Sequence, residues 1–217
     1  IPDSVMLAIT TTAGTILHTG DFKIDYTPID GKPMDLGRIA ELGNKGILAL
    51  MSDSTNSERK GFTMSEKSVG AVFDKLFMNC KKRIVVATFA SNVHRVQQIV
   101  DSAVKYGRKI AVCGRSMINM IENARALGYI NAPEDIFIDI DLIRNYNDEQ
   151  LVIITTGSQG ETMSALTRMA AGEHKKVTIT PNDLVIISAN AIPGNEKLVS
   201  KVIDDLMKIG AEVVYSA

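Results

Sequence analysis

The stretch Leu151-Val152-Ile153-Ile154-Thr155 decides the fold, and it leads directly into the segment Thr156-Gly157-Ser158-Gln159-Gly160-Glu161. Its side chains are apolar and mostly β-branched without polar alternation, a pattern typical of a strand that is buried on both faces of a parallel sheet. The small and polar residues that follow end the strand and precede a helix. This stretch therefore predicts one strand of a sheet that helices cover on both faces.

The same alternation of buried strand and amphipathic helix extends over residues 63–217. We predict further strands at 84–88, 110–113, 136–138, 184–188 and 213–215, and helices at about 65–79, 93–106, 116–127, 161–171 and 195–209. Thr63 and Glu66 have the spacing of a capping box at the start of the first of these helices. The predicted fold is α/β, with a mostly parallel, Rossmann-like sheet and helices on both faces.

Residues 1–62 have a different pattern, and we interpret them as a separate unit. Val5–Ile9 and Thr15–His18 are short runs with strand character on either side of a turn, which predicts a hairpin. A short helix is expected around Leu36–Leu42. Gly46–Met51 is apolar throughout, so we expect a buried strand there, ended by a polar cluster that begins at Ser52.

The composition excludes several classes of protein. The 24 Lys and Arg residues nearly balance the 25 Asp and Glu residues, so nucleic-acid binding would need a local basic groove. No apolar run approaches the ~20 residues of a membrane-spanning helix, and the first residues lack the pattern of a secretion signal. Cys80 and Cys113 are too few for a disulfide scaffold, which favours a reducing cytoplasm. The three histidines are too scattered in the sequence to form a metal centre by themselves.

Ligands of an open parallel sheet bind beyond the carboxyl ends of its strands. In this chain the residues that follow the strands are small and polar and precede helices. Such loops could bind phosphate at the helix N-termini. These loops cover residues 89–92, 114–116, 156–161 and 190–195. Arg95, Arg115 and Arg168 lie near predicted helix starts and could bind phosphate through their guanidinium groups. Two alternatives stay open at this point. The loop residues could serve only to cap helices, and the arginines could lie on solvated helix faces.

Three further features of the sequence bear on a site. Gly157 and Gly160 would let backbone approach a ligand closely, although their loop matches neither a P-loop nor a dinucleotide fingerprint. Asp21 and Asp53 each follow a predicted strand and could be turn formers or ligands, and His94 could be a phosphate donor or a helix-surface residue. The basic runs 81–83 and 174–176 precede strands, so we expect them at the opposite edge of the sheet, where they would aid solubility.

These residues together resemble the ribonuclease J group of metallo-β-lactamase-fold nucleases, which carry an inserted β-CASP domain. The matching stretches are His18–Lys23, Met51–Asn56, Ala87–Arg95, Thr155–Glu161 and Ile192–Glu196. They occur in the family's order and span nearly the whole chain. The resemblance implies that residues 1–62 are the C-terminal part of a first metallo-β-lactamase segment, with a partial sheet of that type, and that residues 63–217 are the β-CASP domain.

The resemblance also implies roles for individual residues. Asp21 corresponds to an aspartate that bridges two active-site metal ions, and Asp53 corresponds to the acidic residue of a β-CASP motif that supports catalysis. Ser91 and its neighbours in the Thr88–Asn92 loop, Asn92 among them, correspond to part of the pocket that receives the RNA 5′-monophosphate. We assign His94, in the same matching stretch, to RNA or phosphate binding as well. Ser158 is added to the same RNA channel because of its place at the sheet edge.

The family's His-x-His-x-Asp-His motif is missing from this sequence, and further family histidines are expected just before Ile1 and just after Ala217. We therefore expect a fragment of a larger cytoplasmic enzyme, inactive by itself. That enzyme would be a 5′ to 3′ exonuclease and endonuclease that uses two divalent metal ions, zinc, to activate water. The expected partner is RNA and not a membrane, and a homo-oligomer of the larger protein is left open.

Two other functions compete with this interpretation. One is a non-catalytic module that binds RNA or phosphate, or serves as a structural α/β unit. The other is a small-molecule enzyme of Rossmann type, which the missing P-loop and dinucleotide fingerprints argue against.

Overall fold

The computed structural model describes residues 4–29, 33–55, 57–58 and 60–215. The chain forms two compact units, residues 1–68 and 69–217, and each is described by itself below. Asn56, which belongs to one of the stretches that resemble ribonuclease J, lies outside the described residues, as do Ile1 and Ala217. The domain boundary at residue 62 stays a prediction.

The described part of the first unit has a three-stranded sheet and one complete helix. Its elements are β1 (Leu7–Thr11), β2 (Gly14–His18), α1 (Leu36–Lys45) and β3 (Ala49–Met51). β1 and β2 are antiparallel, with Thr11 opposite Gly14, and this confirms the predicted hairpin with a tighter turn than expected. β3 pairs in parallel with β2, which brings the carboxyl ends of these two strands to the same edge.

The prediction of a buried strand at Gly46–Met51 is wrong in two respects. The strand covers only Ala49–Met51, and all three of its residues are exposed, with Leu50 at 56%. Leu17 on the neighbouring strand is the only strand residue that is buried in the described part of this unit. An apolar sequence predicts burial only where a second layer covers the strand, and the described residues of this unit do not provide that layer.

The second unit contains the sheet that the sequence predicted. Its strands are β4 (Arg83–Ala87), β5 (Lys109–Cys113), β6 (Phe137–Ile138), β7 (Leu151–Thr155), β8 (Asp183–Ile187) and β9 (Glu212–Tyr215). Its helices are α2 (Lys67–Phe77), which begins just before the boundary between the units, α3 (Val93–Lys105), α4 (Arg115–Ala126), α5 (Ala165–Ala170) and α6 (Glu196–Ile209). The strands are parallel, in the order β6-β5-β7-β4-β8-β9.

Two hydrophobic layers hold this sheet, because successive side chains of a strand point to opposite faces. Ile84 and Val86 pack with residues of α2, α3 and α4, whereas Val85 and Ala87 pack with residues of α5 and α6. All four strand residues are fully buried. Burial of a side chain such as Val or Ile contributes about 1.5–3 kcal/mol, so the buried residues of the central strands and of the helices that cover them both stabilise this unit. The fold-class prediction is confirmed.

The connections determine where ligands can bind. The chain leaves β5 towards α4 on one face of the sheet and leaves β7 towards α5 on the other face. The same reversal occurs between β7 and β4, whose following helix is α3. Adjacent strands whose connections diverge in this way leave crevices at their carboxyl ends, which is where ligands of such sheets bind.

The helix predicted at 161–171 is shorter in the structure. α5 begins at Ala165, because Glu161 and Ser164 close a turn and the Ser164 side chain accepts a hydrogen bond from the Thr167 amide as the helix cap. Short 3-10 segments at Glu134–Ile136, Ile140–Asn145 and Asp148–Gln150 were not predicted. None of the helices in the described part of the chain has the length and apolar character that crossing a membrane requires.

Candidate functional site

The first unit places Asp21 and Asp53 at one edge of its sheet, after β2 and β3. Thr19 links the two loops: its backbone N–H donates to the Met51 carbonyl at 3.0 Å, and its hydroxyl accepts from the Asp53 N–H at 3.0 Å. Thr19 is buried, so this link is shielded from water. The two aspartates that the sequence singled out therefore lie on adjoining loops of one edge.

The Asp53 carboxylate has a defined hydrogen-bonding environment. Its Oδ1 accepts from the backbone N–H of Thr55 at 3.0 Å and from the Thr55 hydroxyl at 2.8 Å. These hydrogen bonds lower the pKa of Asp53 below its ordinary value, because they favour the charged form of the carboxyl. Asp53 is thus an ionised, locally oriented carboxylate that can accept a hydrogen bond or attract a cation.

Asp21 is exposed in a bend after β2, and its backbone carbonyl accepts a hydrogen bond from the Ser4 hydroxyl at 3.2 Å. Within the described part of the chain, no three His, Cys, Asp or Glu side chains come together in a way that could hold a metal ion. The described residues alone therefore do not fit the pair of metal ions that the resemblance implies. Asp21 could be only one ligand of such a site.

In the second unit, Ser91, Asn92 and His94 lie between β4 and the first turn of α3. Asn92 caps this helix, since its side-chain oxygen accepts from the Arg95 N–H at 3.1 Å. Ser91 is exposed and His94 is partly exposed, so both can reach a ligand. The role of these three residues in RNA binding stays a prediction.

Ser158 follows β7, the strand next to β4, but it is 2% exposed. Its neighbour Gln159 connects this loop to the one after β8: the side-chain oxygen accepts from the Ile192 N–H at 2.7 Å, and the side-chain nitrogen donates to the Asn190 carbonyl at 2.9 Å. Sequence reasoning did not identify Gln159, whose buried amide fixes two loops of the candidate site. The RNA role of Ser158 stays a prediction, and its burial limits direct access.

The structure gives a different reason from the expected one for glycine at positions 157 and 160 of the 156–161 loop. A Cβ on Gly160 would lie 2.5 Å from the backbone carbonyl carbon of Leu198 in α6, and one on Gly157 would collide with the Ser164 hydroxyl. The interpretation that these glycines make room for a ligand is therefore replaced by close packing of the loop against the protein itself.

The structure separates the three arginines that the sequence grouped together. One terminal nitrogen of Arg95 donates to the Ser188 carbonyl at 2.5 Å and to the Ser188 hydroxyl at 3.1 Å, which ties the start of α3 to the end of β8. Arg115 and Arg168 instead line one crevice between the ends of β5 and β7. Only the last two are placed together for binding an anion.

The structure contradicts the prediction that His174 lies at the opposite edge of the sheet. Its Nε2 lies 3.1 Å from Sγ of Cys113, the last residue of β5. The prediction was wrong because α5 ends after 6 residues, at Ala170, and His174 still lies beside Cys113 at the carboxyl end of β5. A long segment between a helix and a strand was the only signal in the sequence.

The Cys113–His174 pair is neutral at physiological pH. His174 Nδ1 accepts from the backbone N–H of Val177 at 3.1 Å, so the ring proton of the neutral form lies on Nε2, facing the sulfur. Burial raises the pKa of the Cys113 thiol. Burial, and then the positive charges of Arg168 and Lys176, lower the pKa of His174.

Comparisons with known proteins agree with this architecture. A family model described as "Ribonuclease J, beta-CASP domain" matches residues 81–206. The chain is 55% identical to a ribonuclease J of Helicobacter pylori over 99% of this chain and 31% of that protein. It is 52% identical to a ribonuclease J of Synechocystis, covering 99% of this chain and 34% of that protein. It is 44% identical to ribonuclease J2 of Bacillus subtilis, covering 100% of this chain and 39% of that protein. The chain thus spans about a third of the length of these relatives.

Proposed function

The chain belongs to the ribonuclease J family, to which its β-CASP domain assigns it, and we propose that it is the RNA-binding part of a ribonuclease. The observation that supports this most strongly is the match of nearly the entire chain to ribonuclease J sequences at up to 55% identity. Hydrolysis of a phosphodiester bond by the longer protein, as a 5′ to 3′ exonuclease and endonuclease, is part of the proposal. So are a cytoplasmic location and a homo-oligomer of the longer protein.

In this proposal the first unit contributes Asp21 and Asp53, which lie at one edge of its sheet, to the catalytic site of the longer protein. Asp21 would be one ligand of two divalent metal ions, zinc, whose remaining ligands would lie outside this chain; such ions activate water for attack on a phosphodiester. Asp53 would have a positioning role, because its carboxylate is ionised and oriented by Thr55. It could accept a hydrogen bond from a catalytic group and hold that group in place.

The second unit would bind the RNA strand and its 5′-monophosphate. The Ser91 hydroxyl and the His94 ring are available at the end of β4, while the Asn92 side chain is occupied in capping α3. The loop with Ser158 lies after the adjacent strand and is fixed by Gln159. A rigid edge of this kind holds a substrate in position, which is the contribution that a binding domain makes to hydrolysis elsewhere in the protein.

A binding experiment tests this role of the second unit. Fluorescence anisotropy would measure the affinity of the 217-residue chain for two RNAs of the same sequence, one with a 5′-monophosphate and one with a 5′-hydroxyl. We expect tighter binding of the phosphorylated RNA and loss of that preference in Ser91→Ala, because the hydroxyl donates to the terminal phosphate. Ser200→Ala, at an exposed position of α6, is the matched control. Equal affinity of the folded chain for both RNAs would contradict the proposal.

The alternative is a binding module without catalysis, and the absence of a metal-ligand cluster among the described residues favours it for this chain taken alone. Metal analysis and a cleavage assay distinguish the two. The binding module predicts substoichiometric zinc and no cleavage of labelled RNA with added zinc or manganese. One or more equivalents of tightly bound zinc together with cleavage would show that the 217 residues are catalytic by themselves.

A further inference from the structure

A crevice of ≈ 730 Å³ opens at the carboxyl ends of β5 and β7 in the second unit. We name it the β5–β7 crevice; the polar residues that line it include Arg115, Ser116, Asn119, Thr156, Arg168 and His174. It lies where the connections of the two strands diverge to opposite faces, which is the usual position of ligands in open α/β sheets. Its volume is that of a small-molecule site.

The charge of this crevice has one sign. Arg115 and Arg168 line it, and no Asp or Glu belongs to its described lining. Neither guanidinium group makes a hydrogen bond or ion pair with any residue that the structure describes, whereas seven other cations among the described residues of the second unit pair with a carboxylate. Two guanidinium groups facing one cavity without carboxylates attract an anion.

Hydrogen-bond donors accompany the two charges. The hydroxyls of Ser116 and Thr156 and the side-chain amide of Asn119 line the crevice, and none of them has a partner among the described residues. The first backbone hydrogen bond of α4 runs from the Ile118 N–H to the Gly114 carbonyl. The backbone amides of the helix residues before Ile118 have no cap, because Gly114 at the N-cap position has no side chain. These amides therefore add donors beside the two arginines.

Gly114 also explains how the two sides of the crevice come together. Its φ of +99° suits glycine, and a Cβ there would lie 2.8 Å from the Thr156 hydroxyl oxygen. The loop after β5 therefore contacts the loop after β7 directly. His174 also lines the crevice, and its Nε2 lies 3.1 Å from Sγ of Cys113 at the end of β5.

We propose that the β5–β7 crevice is a phosphate-binding site, distinct from the loop that carries Ser91. Arg115 and Arg168 would bind two oxygens of one phosphate group, and the Ser116 hydroxyl would donate to a third. The group belongs either to a nucleotide or other small phosphorylated molecule, or to the backbone of a nucleic-acid strand. The proposal does not depend on the ribonuclease function.

The test uses isothermal titration calorimetry of the 217-residue chain with inorganic phosphate, uridine 5′-monophosphate and a 5′-hydroxyl oligoribonucleotide. We expect Arg115→Gln and Arg168→Gln each to weaken phosphate binding by about 10-fold or more, since each loses charge-assisted hydrogen bonds. Arg168→Lys should fall in between, because it keeps the charge but not the planar fork. Lys201→Gln, on the exposed side of α6, is the charge-matched control.

Two ligand sources give different results. Tight binding of the mononucleotide indicates a small phosphorylated ligand, whereas binding of the 5′-hydroxyl strand alone, sensitive to the same arginines, indicates backbone phosphate; both support the site. Phosphate binding that Ser91→Ala abolishes and the arginine variants leave unchanged would overturn the proposal, as would no measurable binding. Arg115 and Ser116 are exposed, so Arg115→Gln and Ser116→Ala keep the test valid if Arg168→Gln unfolds the domain.

Discussion

Replacing Gly160 with alanine should strongly destabilise the second unit, because the backbone of α6 occupies the space that the added methyl group would need. Gly160 has a φ of +70°, and the new Cβ would lie 2.5 Å from the Leu198 carbonyl carbon and 2.6 Å from its oxygen. The backbone strain costs roughly 1–2 kcal/mol and the overpacking roughly 1–3 kcal/mol. We therefore expect the free energy of unfolding to fall by about 2–5 kcal/mol.

The matched control is Gly172→Ala. Gly172 has nearly the same φ, +72°, but no atom lies within 4 Å of the position that a Cβ would take there. In this variant the free energy of unfolding should fall only by the cost of the backbone strain, roughly 1–2 kcal/mol. Urea unfolding of both variants, followed by far-UV circular dichroism, measures the difference. Equal destabilisation of the two variants would refute the packing argument and restore the interpretation that Gly160 makes room for a ligand.

Three further changes test other contacts. Asp183→Ala should lower the free energy of unfolding by about 3–5 kcal/mol, because it leaves the guanidinium of Arg83, 2.6 Å from the lost carboxylate, without its buried counter-charge; an effect below about 1 kcal/mol in urea unfolding would contradict this. Asn92→Ala should cost about 0.5–2 kcal/mol through loss of the α3 cap, measured in the same way, and an unchanged unfolding midpoint would show that the cap is dispensable. His174 has a lowered pKa in the folded chain, so the unfolded chain binds its proton first, and stability should fall as the pH drops from the ordinary value of 6.5 towards the lower folded value. Unfolding curves of the parent and His174→Gln between about pH 8 and pH 5 check this, and an identical pH dependence in both would count against it.

The sequence predicted the sheet well because its central strands are buried on both faces. Val85 packs against helices on one face of the sheet and its neighbour Ile84 packs against helices on the other, so apolar, β-branched runs needed no further information. The exposed β3 shows the reverse case. Its composition resembles that of the buried strands, but whether a strand is covered depends on a second layer, and that is not encoded in the strand itself.

The candidate site was predictable only as far as local chain order determines it. Ser91, Asn92 and Ser158 follow strands that were recognised, and they do lie at the carboxyl ends of adjacent strands. Gln159 was not recognised, because its importance comes from two backbone partners on the loop after β8, more than thirty residues away in the chain. A buried amide that joins two loops has no local signature.

The division of the three arginines follows from the same distinction. The sequence placed Arg95, Arg115 and Arg168 near the starts of predicted helices and offered no reason to separate them. Arg95 contacts the residue after β8 because β8 pairs with β4, while Arg115 and Arg168 line the same crevice because β5 pairs with β7. The strand order, which no single segment specifies, therefore gives Arg95 a structural role in holding two segments together. It leaves the other two in a shared crevice whose described lining has no carboxylate, where a bound anion would balance their charge.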